Sequence, residues 1–506
     1  MRKFFLNASI VFTVLAFLPH PLLRAGTDFT QTYRSAIPRF TLDQAILTAL
    51  QRNADIQRAR QEIERTKGLY IAVRAEALPR IDSTLNIQNT DPHLGSISTG
   101  TGGGLSGVPT QYNVSVQATQ VVFAGGRIVS QIRSATFQRD SSYYAFRNTI
   151  DQVIATVKQQ FYQILLNRAL VGVQEASIKL LQSQLQDQQN RFEAGTVPRF
   201  NVLQAQVALS NQYPVLITAQ NNYRIAQLQL AKTLGLDFDP ARGDGAPLEA
   251  VGELIYQPRR MPLAMAIELA KERRPFLKQQ KATMLANAEQ VRVARSGYFP
   301  QLNVTAGEDF RSSPISENID AVRSGYVVGG TGSWAIWDWG ATYGAVKQAE
   351  AILQQAQITY DDAVRQVELE VQQADSNVKQ SAELVKATEE SVGQAEEALR
   401  LASARLSAGA GTQLEVLNSR VEVTQAQSNR LQALYDYNTA QANFDRVTAI
   451  EVVYSNELDE PKTRSKLKTD ARPTPAPKPG PLELNHAGDR QPVQTTRTTR
   501  TTTSGK

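Results

Sequence analysis

Few residues in this sequence have the type and spacing that catalysis or metal binding requires. The chain contains no cysteine and only three histidines, so it offers neither a thiol nucleophile nor a thiolate ligand for a metal. His20 lies in an apolar leader, His93 in a Gly-rich stretch and His486 in a basic tail. A catalytic triad or a zinc site needs a histidine held in a folded element, and none of the three has that setting.

Two further patterns also have simpler interpretations. The glycines of residues 102–107 match G-x-G-x-x-G, but a dinucleotide site needs a helix that opens at the motif, and here a strand pattern follows. The stretch is better read as a flexible extracellular loop. Asp361-Asp362 and the glutamates that follow resemble a solvated helix face, because no partner base accompanies them. We therefore expect a protein that is not an enzyme and that holds no cofactor or catalytic metal.

The elements that would position any functional residue are arranged as two similar halves. Residues 41–81 align without a gap on residues 262–302, and residues 126–203 align on residues 340–417. A repeat of this kind marks a duplicated supersecondary unit. We expect a first repeat over 41–234, an equatorial linker over 235–261 and a second repeat over 262–450.

Each half changes its hydrophobic period in the same order, from helical spacing to strand-like alternation and back to helical spacing. The fold class that this order predicts is α+β and mostly helical, with a repeated unit of helix, strand, strand, long helix and helix. In the first half the predicted elements are helix 41–78, strands 81–88 and 112–123, a long helix from Gly126 to about Ala194, and helix 199–234. In the second half they are helix 262–299, strands near 301–310 and 326–337, long helix 340–408 and helix 412–449.

The lengths of the predicted helices constrain how they pack. A long helix of about 69 residues would span ~100 Å at ~1.5 Å per residue. The two short helices of each half together match that length, so they can lie end to end along the long one. The linker 235–261 would then lie near the middle of this helical part.

The predicted strands have the length of membrane-spanning strands, which contain about 9–11 residues. A single chain has too few of them to close a barrel, and open strand edges are not tolerated in hydrocarbon. We therefore expect the chain to associate with copies of itself. Two copies would give eight strands around an interior filled by side chains, and three would give twelve strands with room for a water-filled pore.

The two ends of the chain differ in composition from the body. Residues 1–25 combine a basic start with an apolar run, which is typical of a secretory signal peptide, and residues 26–40 would form an N-terminal extension. Residues 451–506 would complete the equatorial region and continue as a disordered basic tail, either dispensable or a tether. The net charge of +6 arises in the leader and the tail, so the near-neutral body is not expected to bind nucleic acid.

Aromatic residues cluster at the predicted junctions between strands and helices. Such a cluster is typical of the aromatic girdle at a membrane–water interface. The alternative is an ordinary aromatic core that joins sheet to helix. The residues are Phe123, Tyr298, Phe299, Trp334, Trp337 and Trp339.

In these features the chain resembles the TolC-like outer-membrane efflux protein family over roughly residues 41–450. Each motif is short, and the similarity lies in their order and duplication. The motifs are Thr41-Leu42-Asp43-Gln44-Ala45-Ile46, Leu78-Pro79-Arg80-Ile81, Phe123-Ala124-Gly125-Gly126-Arg127, Ala194-Gly195-Thr196 and Asn201-Val202-Leu203-Gln204, with their counterparts in the second half.

The resemblance implies a homotrimer in which a twelve-stranded β-barrel in the outer membrane continues into a periplasmic barrel of twelve helices. It also implies an entrance gate near the tip, where the family has an acidic ring at the start of the last helix. Here Glu415 keeps a carboxylate and Asn418 does not, and Asn201 and Gln204 occupy the matching positions of the first half. The alternative for Glu415 is a solvated first-turn residue favoured by the helix dipole.

The resemblance further implies that the helix tips dock onto a periplasmic adaptor, and through it onto an inner-membrane transporter of the RND, ABC or MFS class. The alternative is that the glycines there only end helices, as glycines commonly do. The candidate docking residues are Arg191, Ala194, Gly195, Thr196, Arg405, Ala408, Gly409 and Thr412.

The expected function is that of a passive exit duct of a tripartite efflux or type I secretion system, in contact with outer-membrane lipid. Two other classes of protein are less consistent with the sequence. A periplasmic adaptor would have a single helical hairpin rather than two, and a structural envelope protein would need no glycine-marked reversal at matching places in both halves.

Overall fold

The computed structural model describes residues 38–89, 110–236, 248–259, 261–312, 323–450, 452–453 and 483–484. The predicted signal peptide, the Gly-rich stretch 102–107 and nearly all of the predicted tail lie outside the described residues.

Within these residues the chain is mostly helical with some sheet, as the sequence predicts. The helices are α1 (Leu42–Arg52), α2 (Ala54–Ala75), α3 (Arg127–Glu193), α4 (Arg199–Thr233), α5 (Leu263–Arg273), α6 (Pro275–Arg295), α7 (Ala341–Ser407) and α8 (Gln413–Thr448). The strands are β1 (Arg39–Phe40), β2 (Arg80–Asn89), β3 (Thr110–Ala124), β4 (Glu249–Ala250), β5 (Gln301–Ser312), β6 (Arg323–Ser333), β7 (Val452–Val453) and β8 (Glu483–Leu484).

The first helix predicted for each half is interrupted, which corrects the expectation of continuous helices. Asn53 is extended between α1 and α2, and its side chain accepts hydrogen bonds from two N–H groups of the next turn at 2.8 and 3.2 Å. Arg274, the aligned residue of the second half, is extended between α5 and α6 and precedes Pro275. A proline disfavours helical geometry in the residue before it, and an asparagine cap starts a new helix. Both signals, the asparagine cap and the proline, are present in the sequence.

The two long helices, α3 and α7, contain 67 residues each and are lined by the short ones. The first part of α3 packs against α2 and α6, where Ser134 donates to the Ala286 carbonyl at 3.2 Å. Its last part packs against α4 and α8, where Gln182 reaches the Tyr213 hydroxyl at 3.2 Å. Helix α7 packs against α5 and α6 and then α8. Pairs of short helices therefore line each long one, as their lengths predict.

Apolar cores lie where the short helices meet the long ones. Phe161 and Ile154 of α3 are fully buried against α1 and α4, and Val367 and Val371 of α7 are fully buried against α5 and α8. The part of the linker at 248–259 crosses between the two halves. It is held by Arg168 of α3, which donates to the Ala250 carbonyl at 2.8 Å, and by Tyr437 of α8, which donates to the Gln257 carbonyl at 2.6 Å.

Strands β2, β3, β5 and β6 form one antiparallel sheet in that order. A bulge between Val121 and Phe123 shifts the register of β3 against β5. The last strand ends at Ser333, not near residue 337 as predicted, and Trp339 takes a left-handed backbone angle (φ 54°) just before α7. Strand β6 contains four glycines, which lower its strand propensity and make its ends hard to predict from sequence. They are Gly325, Gly329, Gly330 and Gly332.

Candidate functional site

The two faces of the sheet differ sharply in polarity. Register pairs place Ile81, Ala118, Ala306 and Val328 in one row across the sheet, and the other rows of that face are also mainly apolar. Residues one position along each strand point to the opposite face. There, Asp82 lies beside Gln117 in a face made mainly of polar residues and glycine.

The apolar face is exposed and the polar face is hydrogen-bonded. Ile81 is 73% exposed and Tyr326 88% exposed on the apolar face. On the polar face the Thr84 and Ser115 hydroxyls lie 2.7 Å apart, and Gln117 donates to Asp309 at 3.3 Å. A sheet that exposes its apolar side and links several side chains on its polar side by hydrogen bonds has the pattern of transmembrane strands around an aqueous interior.

The structure brings the predicted girdle aromatics together at the end of the sheet where the strands join the helices. Trp334 donates from Nε1 to the Tyr298 carbonyl at 3.2 Å, and the rings of Trp337 and Trp339 meet edge to face at 5.7 Å. All six residues are exposed, up to 89% for Trp339. Within this chain they therefore do not form a buried core.

The first tip joins α3 to α4 through a glycine turn. Gly195 has a φ of +68°, a conformation that favours glycine, and no heavy atom lies within 4 Å of where its Cβ would be. The N–H groups of Gly195 and Thr196 donate to the carbonyls of Phe192 and Arg191 at 2.9 Å each. This is a Schellman-type helix end, which satisfies carbonyls of the last turn.

The second tip repeats this arrangement between α7 and α8. Gly409 has a φ of +74° and also has open space around its Cβ position. Thr412 caps α8, since its hydroxyl accepts from the Glu415 N–H at 3.2 Å. Arg405 approaches the Glu415 carboxylate at 3.9 Å across the turn. The predicted docking residues thus lie on two equivalent, exposed reversals.

The predicted gate residues lie in the first turns of two different helices. Glu415 and Asn418 are on α8, and Asn201 and Gln204 are on α4. Helix α3 packs against both of these helices. The Glu415 side chain is 43% exposed, and its carboxylate lies 3.9 Å from the Arg405 guanidinium. Both the gate and the solvated first-turn interpretation remain compatible with this geometry.

A polar contact links the helices of the two tips, and it was not predicted from the sequence. Gln188 of α3 donates to Gln413 of α8 at 3.5 Å, and Arg420 of α8 bonds Gln184 and the Leu180 carbonyl of α3. Burial lowers the pKa of Arg420 below its ordinary value. Only the tertiary contact identifies these residues, because isolated Gln and Arg residues on long helices are common.

A partly buried ion cluster joins four helices at the equator. Arg274, at the helix break, pairs with Glu370 of α7, and Arg446 of α8 and Asp151 of α3 lie within electrostatic range. Burial would raise the pKa of Glu370, but hydrogen bonds from Gln366 and Arg274 outweigh it and hold the pKa below its ordinary value. The cluster fixes the break that the sequence-based prediction missed.

The two lateral edges of the chain are open and apolar. Strands β2 and β6 are the outer strands of the sheet; β2 follows α2, and β6 leads into α7. Helices α2 and α4 pack chiefly on α3, and together with β2 they form one lateral edge of the chain. Helix α7 and β6 form the other lateral edge. Exposed large apolar residues concentrate on these edge helices. They include Leu69 and Ile71 of α2, Phe200, Val207, Val215, Ile217 and Ile225 of α4, and Tyr343, Ile352, Ile358, Leu369, Leu384 and Leu401 of α7.

None of the helices in the described residues has the length and apolarity needed to cross a membrane. In that same part of the chain, histidines, cysteines and carboxylates do not gather into a group that could hold a metal ion.

Comparison with known proteins agrees with this geometry. The sequence profile described as outer membrane efflux protein matches residues 45–236 and 266–449. The probable efflux pump outer membrane protein TtgC of Pseudomonas putida is 23% identical over 300 residues, 58% of this chain and 57% of that protein. The solvent efflux pump outer membrane protein SrpC of Pseudomonas putida is 22% identical over 415 residues, 80% of this chain and 86% of that protein. The matched region thus spans less than two thirds of TtgC but most of SrpC.

The fold is also that of solved structures. The Campylobacter jejuni CmeC outer membrane channel superposes with a TM-score of 0.70 at 16% identity, over 80% of this chain and 85% of that one. A mostly helical chain with a two-faced sheet of this topology has the fold of a TolC-like channel. The chain belongs to the outer membrane efflux protein family. It is an outer-membrane protein with a periplasmic extension.

Proposed function

We propose that three copies of this chain form a passive exit duct, with a twelve-stranded barrel in the outer membrane and a twelve-helix barrel in the periplasm. The observation that carries the proposal is the pair of matching open edges. Unpaired strands β2 and β6 and the apolar flanks of α2, α4 and α7 lie at the same two sides of the chain. Pairing β6 of one copy with β2 of the next closes the sheet and buries both flanks at once.

Three copies fit the lumen that a duct needs. Two copies would close an eight-stranded barrel whose interior is filled by side chains, whereas twelve strands leave room for water. The polar face of the sheet would then line the lumen and the apolar face would contact lipid. The exposed aromatics from Trp334 to Trp339, with Tyr298 and Phe299, would lie at the periplasmic membrane interface.

The periplasmic end would connect this duct to its source of energy. We place an adaptor protein on the two tips around Gly195 and Gly409, and behind it an inner-membrane pump of the RND, ABC or MFS class. The duct itself is not an enzyme and would conduct cargo that the pump delivers, in tripartite efflux or type I secretion. Glu415 and Asn418, with Asn201 and Gln204, would form its periplasmic entrance, and domain limits of 41–234 and 262–450 would mark its two repeats.

The oligomer and its conductance test this proposal together. The chain purified in detergent is expected to have the mass of a trimer, and after reconstitution in planar bilayers it is expected to conduct ions. A chain that stays monomeric and inserts no channels would refute the duct. A trimer that contains no membrane-inserted sheet would favour a soluble envelope protein instead.

A further inference from the structure

One row of residues near the outer end of the sheet differs from the others on its face. Strand register places Asn86 of β2 opposite Asn113 of β3, Asn113 opposite Arg311 of β5, and Arg311 opposite Arg323 of β6. The four residues therefore form one continuous row across the whole sheet. Within it two arginines stand directly opposite each other, and no carboxylate belongs to the row.

Within the residues that the structure describes, the positive charge of this row is only partly compensated. Arg311 bonds Asp309, one step nearer the periplasm on the same face, at 2.8 Å, and Gln117 also donates to that carboxylate. Among the described residues, Arg323 has no carboxylate partner. Directly opposed like charges destabilise a strand pair, so this arrangement has a cost that an anion in front of it would relieve.

The other charges of the sheet do not neutralise the row. On the same face, Arg80 and Asp82 pair with each other at 2.8 Å near the opposite end of β2. Glu308 lies on the apolar face, in register with Val116 and Tyr326, so its carboxylate points away from the two arginines. The row thus carries a net positive charge on the polar face, close to where β5 ends and β6 begins.

We propose that Arg311 and Arg323 make the outer mouth of the duct an anion-selective ring, which favours small anions and anionic groups of cargo over cations. The inference rests on the proposed trimer, in which the polar face lines the lumen. Three copies would bring six guanidinium groups to one level of the barrel and three Asp309 carboxylates to the next level on the same face. A ring of net positive charge in a pore with low-dielectric walls raises the local concentration of anions and lowers that of cations.

The ring would act on cargo as it leaves. Guanidinium groups bind carboxylates and phosphates through paired hydrogen bonds, and lumen-facing residues tune the selectivity of a barrel. Charge at this level would be independent of the periplasmic entrance, because the tips at Gly195 and Gly409 lie at the far end of α3 and α7.

The test is the reversal potential of the full-length channel in planar bilayers under a KCl gradient. Arg323→Gln and Arg311→Gln are each expected to lower the permeability of chloride relative to potassium by about twofold or more, since each removes three charges from the trimer. Asp309→Asn is expected to shift the ratio in the opposite direction. Arg323→Lys keeps the charge and serves as the matched control, with a ratio close to that of the wild-type channel.

The outcomes separate this inference from the duct itself. Channels of normal conductance whose reversal potential is the same for wild type, Arg323→Gln and Arg311→Gln would overturn the ring and leave the duct intact. An equal shift in Arg323→Lys would also overturn it, since the charge is then not the cause. A wild-type chain that forms no channels would overturn both proposals.

Discussion

At the scale of single residues, Gly195 and Gly409 allow the two tips to reverse direction. Both have positive φ angles and open space beside them, so a side chain there is strained by the backbone and not by a neighbour. A left-handed conformation costs a non-glycine residue roughly 1–2 kcal/mol, and asparagine tolerates it best. The tips should therefore accept asparagine and resist β-branched residues.

We expect Gly195→Val combined with Gly409→Val to abolish export while membrane insertion stays intact, because the docking tips are distorted far from the sheet. The matched variant with asparagine at both positions should retain most export. The measurements are cellular export with the native pump and the amount of trimer in the outer membrane. Full export by the valine variant would show that the tips are not the docking surface.

Glu370 is the carboxylate that pairs with the buried Arg274 at the equator, and it also interacts electrostatically with the partly buried Arg446. Its pKa is depressed in the folded chain, so its stabilising contribution is fully present above its unfolded pKa and is lost as pH falls through the lower, folded value. Removing one partner of a buried ion pair costs more than the pair itself contributes, because a charge stays buried alone.

Glu370→Gln is therefore expected to destabilise the protein at pH 7 by about 1–3 kcal/mol, a range reduced from the fully buried case because Glu370 is partly exposed. The difference from wild type should shrink as pH falls into the acidic range where Glu370 protonates. Thermal unfolding in detergent across pH 3–7 would measure it. Equal unfolding temperatures at pH 7 would contradict the role given to the cluster.

At the scale of the element, neighbouring residues of β5 lie on opposite faces of the sheet, one apolar and one polar. Ala306 lies on the apolar face in register with Ala118 and Val328, and Thr305 lies on the polar face, where its hydroxyl bonds the Gly329 carbonyl at 3.3 Å. In the proposed barrel, a one-residue step along a strand would therefore move a side chain from lipid to lumen.

Ala306→Arg should prevent or weaken membrane insertion, since a lipid-facing arginine at the bilayer midplane costs about 2–4 kcal/mol. Thr305→Arg places the same side chain one residue away, in the aqueous lumen, and should be tolerated. The two variants are compared by the fraction of chain that extracts with the outer membrane. Equal insertion by both would contradict the assignment of the two faces.

At the scale of the whole molecule, the proposed duct requires that copies of the chain cover the apolar flanks that one chain leaves open. Ile217 of α4 is 63% exposed on a lateral edge, whereas Val421 of α8 is 69% exposed on a helix enclosed between α3 and α7. Burial of an isoleucine side chain contributes roughly 1.5–3 kcal/mol, and a trimer would bury three such residues.

Ile217→Glu should therefore convert trimer to monomer or lower the temperature at which the trimer dissociates. Val421→Glu adds the same charge to an equally exposed residue away from the edges and should leave the trimer intact. Light scattering in detergent with a temperature ramp distinguishes them. Loss of the trimer in both variants, or in neither, would contradict the proposed interface.

Much of the fold was predictable because it depends on local order along the chain. Periodicity located the long helices and most strands to within a few residues, and the glycines at Gly195 and Gly409 marked the reversals because positive φ angles favour glycine. The mostly helical class and the family followed from the order of these elements and their duplication. The helix breaks also have local signals in the sequence, because Asn53 is a favourable N-cap residue and Arg274 precedes a proline. The helical periodicity on either side of each break obscured these signals.

The contacts between residues far apart in sequence were decided only by the tertiary structure. The row from Asn86 to Arg323 depends on the register of four strands, and the link between Gln184 and Arg420 depends on which helices pack together. Neither can be read from composition, because shifting one strand by a single residue would move every side chain to the other face. Local patterns therefore determined the elements, while the free energy of packing them together determined which side chains meet.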